Sequence, residues 1–525
     1  MKQGNKLLLS MMVVLLCLAP ACSPAPAQGG KTGAIVSAYF PNDEWQSSTP
    51  EEQGIDSALI LQMFQEIRDK HIDIHSLLLV RNGHLVTEAY FDPYTQTMKH
   101  PVFSVTKSVT SILTGIALHE GYIKSLDQKV LDFFPAIAAN VTDENVQDIT
   151  LEHLLTMSAG YNTTTIPSAE ELHQKDASFD TVDHILTYNS ILQKPGTTFF
   201  YDSGLPHLMS AIIQETTGIS TLEYAQEKLF GPLGITGVSW ETDPRGIPLG
   251  NTGLTLSPRD MAKLGYLYLN RGRWKGEQIV PAKWVDQSTT KHIETKGLMN
   301  AAEDDGYGYF WWIDAYGGYS AHGFGGQYIF VVPKLNLVAV FTSGLADPDF
   351  PTPRRLMEEY ILPAATAAHA LPLSPASNDL QAYIQRLANP ETQPAPLPAI
   401  AHQISGKTFQ MSERPGFYFE KVTLTFEDGQ DLYRSVTTWP DGEYDVLGGL
   451  ANHFYLNDLT QPQVIRVALK GYWQDEKTFI ETLKVLPQIE DVINTYTFDG
   501  DSVTVDVEYS MGGYAFQMKG EMIDN

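Results

Sequence analysis

Cysteine is almost absent. The 525 residues contain two, Cys17 and Cys22, both within the first 22 positions. Everything after them is therefore without a disulfide, a thiolate metal site or a cysteine nucleophile. Basic residues are scarce beside acidic ones: 35 Lys and Arg face 62 Asp and Glu, a net charge of −27. Phosphate backbones and anionic lipid repel such a surface, so no nucleic-acid partner is expected. No stretch beyond the N-terminal one approaches ~18 consecutive apolar residues, so no second membrane anchor is expected. The G-x-S-x-G elbow, H-E-x-x-H and the phosphate-binding G-x-x-x-x-G-K are also missing. The 14 histidines show no metal-ligand spacing, and neither a metal nor an organic cofactor is expected.

What is present describes a folded protein. Hydrophobic residues make up 43% of the chain, aromatics 11% and charged residues 18%, enough apolar material for sizeable cores. The length is about three times that of one typical domain and points to two or three folded units. Lys2 and Lys6 precede an apolar run from Leu7 to Leu18 that only Ser10 interrupts. Small residues and proline follow, the pattern of a secretory signal. Ala19-Pro20-Ala21-Cys22 resembles a bacterial lipoprotein cleavage box, with Leu18 one place early and an unusual Pro20. Two readings stay open: lipidation of Cys22, which would attach the protein to a membrane, or ordinary cleavage after Ala21 or Ala27. Either gives an exported bacterial protein, periplasmic or lipid-anchored to the envelope, with residues 1–33 as leader.

Residues 34–375 alternate helical and strand-like patterns. Ser76 to Tyr90 reads as a hairpin turning at Asn82-Gly83. Residues 104–119, Leu151 to Met157, Leu208 to Thr217 and Pro258 to Leu269 read as helices. Tyr307 to Ile313, Tyr328 to Val332 and Leu337 to Thr342 read as strands. Strands at both ends with helices between imply an α/β or α+β sandwich with a helical subdomain around 130–290. Residues 376–402 are rich in alanine and proline and read as a linker, interrupted by a short helical stretch around Asp379 to Leu387. Residues 403–525 show short alternating strands; in Ser502 to Tyr509, Val503, Val505 and Val507 share one face. That is an all-β module, a small antiparallel barrel or sandwich.

Three segments carry candidate chemistry. In Phe103-Ser104-Val105-Thr106-Lys107-Ser108, Ser104 and Lys107 are three apart on an expected helix. Their Cβ atoms then lie roughly 5–6 Å apart on one face. A serine needs a base to become a nucleophile, and a buried lysine of lowered pKa can serve. Ser104 would stand at the helix N-terminus, where the dipole favours a developing oxyanion. Alone, S-x-x-K also arises by chance. The second segment, Pro195 to Gly204, holds Tyr201 with Ser203 two residues on; alone, Tyr201 reads as a packed ring or a proton relay. The third, His322-Gly323-Phe324-Gly325-Gly326-Gln327-Tyr328, enters an apolar strand whose glycines admit a ligand close to the backbone or simply make a bulge or turn.

In that order and at those spacings, the three segments resemble the serine β-lactamase and penicillin-binding superfamily. The nearest branch is the class C β-lactamase-like hydrolases, which includes esterases, D-amino-acid peptidases and 6-aminohexanoate-dimer hydrolases. Thr150 to Gly160, Gly231-Pro232-Leu233-Gly234 and Gly253 to Ala262 add to the resemblance, as do Trp274, Gly276, Pro281 and Trp284. It implies a β-lactamase-like fold, Ser104 as acylated nucleophile, Lys107 as its base partner and Tyr201 as general acid/base. It also implies an oxyanion hole from the N–H of Ser104 and one near Gly326 or Gln327, with Ser203, His322, Gly323 and Gly325 around the substrate. Whether Lys107 or Tyr201 takes the first proton stays open.

Two positions depart from the antibiotic-degrading pattern. Ser203 stands where Asn is usual, and His322-Gly323-Phe324 is the nearest match to Lys-Thr-Gly. A neutral histidine holds a substrate carboxylate weakly, so efficient β-lactam hydrolysis is not expected. Tyr319 and Tyr328 are candidates to line an acyl pocket. The expected function is an exported serine hydrolase acting on a small-molecule or peptide ester or amide. The alternative is a catalytically weak penicillin-binding-like receptor for cell-wall or peptide ligands. A third reading makes residues 403–525 the functional centre; no residue there marks a ligand, and a stabilising accessory role is the simpler expectation.

Overall fold

Eight antiparallel strands form the central sheet of the first unit. Their order is His84–Tyr90, Ile74–Arg81, Leu337–Ser343, Gln327–Val332, Gly318–Gly323, Trp312–Asp314, Gly306–Tyr307 and Ile293–Glu294. The computed structural model describes residues 45–523 except Asn189, 296–304, 392–395, 451–452 and 461–464. The leader with Cys17 and Cys22 lies outside the described residues.

Helices cover both faces of the sheet, so its central strands must be apolar on both sides. The period-two alternation assigns the faces. Leu78, Val80, Ile329, Val331, Val338 and Val340 join one core with the helix Val105–Glu120. Leu77, Leu79, Phe330, Val332, Ala339 and Phe341 join a second core with the helices Ser57–Asp69 and Pro375–Ala388. The helix Val105–Glu120 is buried from Val105 through Ala117 and ends at Gly121, which is left-handed (φ 84°). Its one internal glycine, Gly115, makes room for a ring: a Cβ there would collide with the Trp284 indole. The helices Gly204–Thr217 and Pro258–Leu269 complete this layer.

One expectation needs correction. The run Tyr307 to Ile313 is not one strand. Gly308 N–H donates to Trp311 O and Phe310 is left-handed (φ 57°), so a tight turn separates two short strands. The helical stretch expected around Asp379 to Leu387 is present and longer than its pattern suggested. Pro375 opens a helix of 14 residues, and Leu380 and Tyr383 pack into the second core. Proline suits the first helical turn, where its missing N–H costs nothing.

The second unit is a closed barrel. Its ring runs Gly442–Leu450, Leu432–Trp439, Lys421–Phe426, Lys407–Glu413, Ala515–Ile523, Ser502–Tyr509, Asp491–Asp499, Thr478–Leu486 and Ile465–Trp473. Parallel pairing of Gly449 and Leu450 with Lys470 and Gly471 closes it. Tyr455–Leu459 pairs on the rest of that last strand. The short helix Ala399–Ile404 packs Ala401 and Ile404 into the barrel core.

The units meet along one side of the barrel. Tyr94 packs with Phe454, Ala468 and Leu486. Lys484 Nζ lies 2.6 Å from Asp491 and 3.7 Å from Asp73. The barrel turn at 487–490 reaches the glycine-rich strand end: a Cβ on Gly325 would collide with Ile489 Cδ1, and one on Gly344 would stand 2.5 Å from Ile489 O.

Candidate active site

Ser104 immediately precedes the helix Val105–Glu120, and Lys107 lies one turn in. Lys107 Nζ is 2.7 Å from Ser104 Oγ and 3.1 Å from the carbonyl oxygen of Asn251. The lysine is 2% exposed. Burial pulls its pKa down to about 7; Asp202 opposes that fall. Near neutral pH a substantial fraction is then the free amine, whose lone pair can accept a proton. Phe103, just before Ser104, is left-handed (φ 45°). That conformation is unfavourable for a bulky residue and is maintained only where the surroundings enforce it.

Tyr201 completes the cluster. Lys107 Nζ stands 4.9 Å from its ring centroid, and the ring stacks on Trp312 at 5.8 Å. Burial raises the phenol to about 12, against a hydrogen bond with Ser104. Tyr201 is therefore protonated at neutral pH. The structure thus gathers Ser104, Lys107 and Tyr201, segments about a hundred residues apart in the chain.

The glycine-rich segment is arranged differently from the expectation. Gly326 N–H donates to Gly323 O across a tight turn, so that donor is already engaged. Gly323 and Gln327 are a strand pair. The Gln327 side chain donates to Phe324 O (3.1 Å) and Ser343 O (2.6 Å) and accepts from Ser343 N–H (3.2 Å). Ser343 Oγ in turn donates to Gly325 O or Gly326 O. Gly325, Gly326 and Gln327 thus anchor the turn to the neighbouring strand. The residues beside the Val102–Ser104 segment are Gly323 and Phe324: a Cβ on Gly323 would collide with Val102 O, and the Phe324 ring lies 5.6 Å from Phe103.

His322 is in register with Tyr328 and packs on it at 4.5 Å, with Phe330 of the second core behind. Its Nε2 meets Ser320 Oγ at 2.8 Å, and Ser320 reaches Asp314 at 2.9 Å. Burial, aided by Arg354, pushes the imidazole down to about 3, so it is neutral. Ser203 sits at the cap of the helix Gly204–Thr217 without a side-chain cap bond. Tyr319 and Tyr328 are closed into packed cores rather than lining a pocket: Tyr319 against Trp311 and Tyr268, Tyr328 against Phe330 with its hydroxyl on Phe350 O. The exposed aromatic is Phe324, beside Phe103 and Phe350.

Two contributors escaped the sequence reading. Asp202 is 1% exposed, and its carboxylate accepts from Thr165 N–H (3.0 Å), Thr165 Oγ (2.8 Å) and Gly204 N–H (2.9 Å). It is the anion that acts on Lys107. Asn251 contributes a backbone carbonyl, which no side-chain motif reveals.

The comparisons with known proteins point the same way. A family model described as Beta-lactamase matches residues 61–361. The chain is 26% identical over 290 residues to a 6-aminohexanoate-dimer hydrolase of Paenarthrobacter ureafaciens, covering 52% of this chain and 73% of that one. It is 28% identical over 192 residues to a lovastatin esterase of Penicillium rubens, covering 32% of this chain and 46% of that one. Among solved structures it is similar to EstCE1, a hydrolase with promiscuous acyltransferase activity. There the TM-score is 0.50 at 15% identity, over 60% of this chain and all of that one.

Proposed function

The chain belongs to the beta-lactamase family, and on that premise we propose that it is a serine hydrolase cleaving an ester or linear amide through an acyl-enzyme on Ser104. One observation carries the reading: a buried lysine, its pKa lowered to about 7, stands 2.7 Å from a serine hydroxyl at a helix N-terminus. The relatives named for a dimer hydrolase and an esterase support the substrate class.

Neutral Lys107 directs one N–H to Asn251 O, leaving its lone pair for the Ser104 hydroxyl proton. As Oγ bonds to the substrate carbonyl carbon, that proton moves to Nζ and the carbonyl electron pair moves onto oxygen. The N–H groups of Ser104 and Phe324 have no acceptor among the described residues and are the donors we assign to that oxyanion. The tetrahedral species collapses by breaking the bond to the leaving alcohol or amine, which takes a proton from the Tyr201 phenol. The proton on Lys107 restores the phenol. Water then repeats the sequence on the acyl-enzyme and frees the acid. The high pKa of Tyr201 and the lowered one of Lys107 favour the lysine as first base.

β-Lactams are poor substrates in this reading. His322 is neutral and packs beside Tyr328, so it supplies no cation for a substrate carboxylate. The exposed Phe324, with Phe103 and Phe350, offers an apolar rim to the acyl group instead. The leader pattern from Lys2 to Cys22 supports export as part of the same proposal.

The test is a panel holding an activated short-chain ester, a linear 6-aminohexanoate amide, a D-Ala-D-Ala peptide and a penicillin, with Ser104→Ala as control. Ser104-dependent turnover of the ester or the linear amide, ahead of the penicillin, is expected. Wild-type turnover by Ser104→Ala would overturn the assignment.

A further inference from the structure

The barrel is filled unevenly. Along its inward-facing positions, the half nearer the helix Ala399–Ile404 is packed with rings, including Phe409, Phe426, Tyr433, Phe479 and Phe498. Gly448 and Gly471 make space for them, since a Cβ at either would collide with the Tyr433 or Phe479 ring. In the other half the same strands carry smaller inward residues: Ser435 and Thr437 after Tyr433, Val467 and Leu469 before Gly471, Leu483 and Val485 after Phe479. The rings of Tyr418, Phe419, Tyr444 and Tyr496 stand among these smaller side chains and line the space they leave. A cavity of about 310 Å³ remains, with Trp439 and Val446 also in its wall. That is the lower end of the ~300–1,000 Å³ range of small-molecule sites.

The polar groups at the cavity indicate what it does not bind. Glu481 forms the floor and is 3% exposed. Its carboxylate accepts from Tyr433 Oη (2.8 Å), Asn494 Nδ2 (3.1 Å) and Tyr496 Oη (3.1 Å). Asn494 Oδ1 accepts from Tyr418 Oη, and Trp439 Nε1 donates to Thr437 Oγ1. None of the cavity's lining residues has a buried side-chain polar atom left without a partner. Polar recognition is thus already spent within the wall, and what faces the space is hydrocarbon. With its buried donors already engaged and Asp441 among the lining residues, the wall disfavours an anionic guest.

We propose that the barrel is a binding site for an uncharged lipophilic small molecule, with an alkyl or aryl portion enclosed between Glu481 and Trp439. The site lies in a different unit from Ser104 and does not depend on the hydrolase reading. Its selectivity follows from the wall: chain length and bulk matter, hydrogen-bonding groups do not, and a carboxylate is excluded.

The probe is N-phenyl-1-naphthylamine, an uncharged dye that brightens in apolar surroundings, titrated into the full-length protein. Saturable brightening at one dye per chain is expected, displaced by decanol at least tenfold more effectively than by decanoate. A serine-reactive covalent probe on Ser104 should leave it unchanged. Val467→Phe and Val485→Phe fill the cavity from different strands, and each should weaken dye binding at least tenfold in protein that still melts cooperatively. Trp439→Phe should lower energy transfer to the bound dye, which keeps the test informative if both filling variants misfold. Absence of saturable brightening overturns the proposal. So does wild-type binding by a folded filling variant, loss of the dye on labelling Ser104, or energy transfer unaffected by Trp439→Phe.

Discussion

Two buried ionisable groups, one in each unit, are surrounded differently. Lys107 is 2% exposed and has two oxygen partners, a hydroxyl and a peptide carbonyl, neither of them a full negative charge. Glu481 is 3% exposed and receives hydrogen bonds from two phenols and an amide. Burial dominates the pKa of both, but it moves the lysine toward its neutral, reactive form beside a serine hydroxyl, while the carboxyl is enclosed by donors with no nucleophile next to it. The comparison separates two uses of a buried charge. Burial beside a serine hydroxyl makes a group that titrates near working pH, and burial among hydrogen-bond donors makes a structural fixture.

The sharpest way to break this contrast is at the nucleophile. Ser104→Ala should lower kcat/KM by ~10³-fold or more with the melting temperature nearly unchanged, measured on the ester or amide that the wild type turns over. Lys107→Met should cost ~10²–10⁴-fold without loss of stability, because it removes an under-compensated charge; a urea titration checks the second half. Glu481→Leu should show the reverse, a stability loss of ~2–4 kcal/mol in the same titration, since Tyr433, Asn494 and Tyr496 would keep buried donors without an acceptor.

The pH dependence sharpens the comparison further. In the proposed reaction Lys107 acts as the neutral amine, so kcat/KM should fall with a single ionisation as pH drops below about 7. For stability the sign is set by proton counts. Between about 7 and the ordinary lysine value of 10.5, the folded lysine has lost a proton that the unfolded one retains, so stability rises with pH. The wild type should therefore gain on Lys107→Met between pH 7 and 10, read as the difference in melting temperature. The smallest effect belongs to Asp202→Asn. Removing that anion should move the activity limb to lower pH by under one unit, and an unchanged limb would remove Asp202 from the lysine's environment.

The legible parts of the sequence were those fixed by local spacing. Ser104 and Lys107 sit one helical turn apart, and the alternation of Val503, Val505 and Val507 gives a β-strand with one inward face. Tyr201 was legible only through the joint pattern of three segments. Asp202 and the Asn251 carbonyl were not, because each matters through what tertiary folding brings against Lys107. The glycine-rich turn misled for a related reason. Its glycines suggested an open N–H group at Gly326, whereas turn closure engages that donor with Gly323 O, and the ring beside Phe103 is Phe324. The helix Pro375–Ala388 was legible in its core, read as a helical stretch around Asp379 to Leu387, while the alanine- and proline-rich composition hid its first turn. The barrel cavity was hidden for a different reason, since period-two alternation looks the same in a filled barrel and a hollow one.

Ile489 stands on the barrel, yet its side chain closes against Gly325, in the turn that the Gln327–Ser343 bonds secure beside the nucleophile. Ownership of the catalytic rim is therefore shared across a gap of more than a hundred residues of chain. Anyone transplanting the first unit into a chimera, or trimming the protein to its family-matching stretch, would remove the outer support of that turn along with the barrel. The structural unit around Ser104 is the pair of domains, and Ile489, which no catalytic motif contains, is the barrel's contact on that turn.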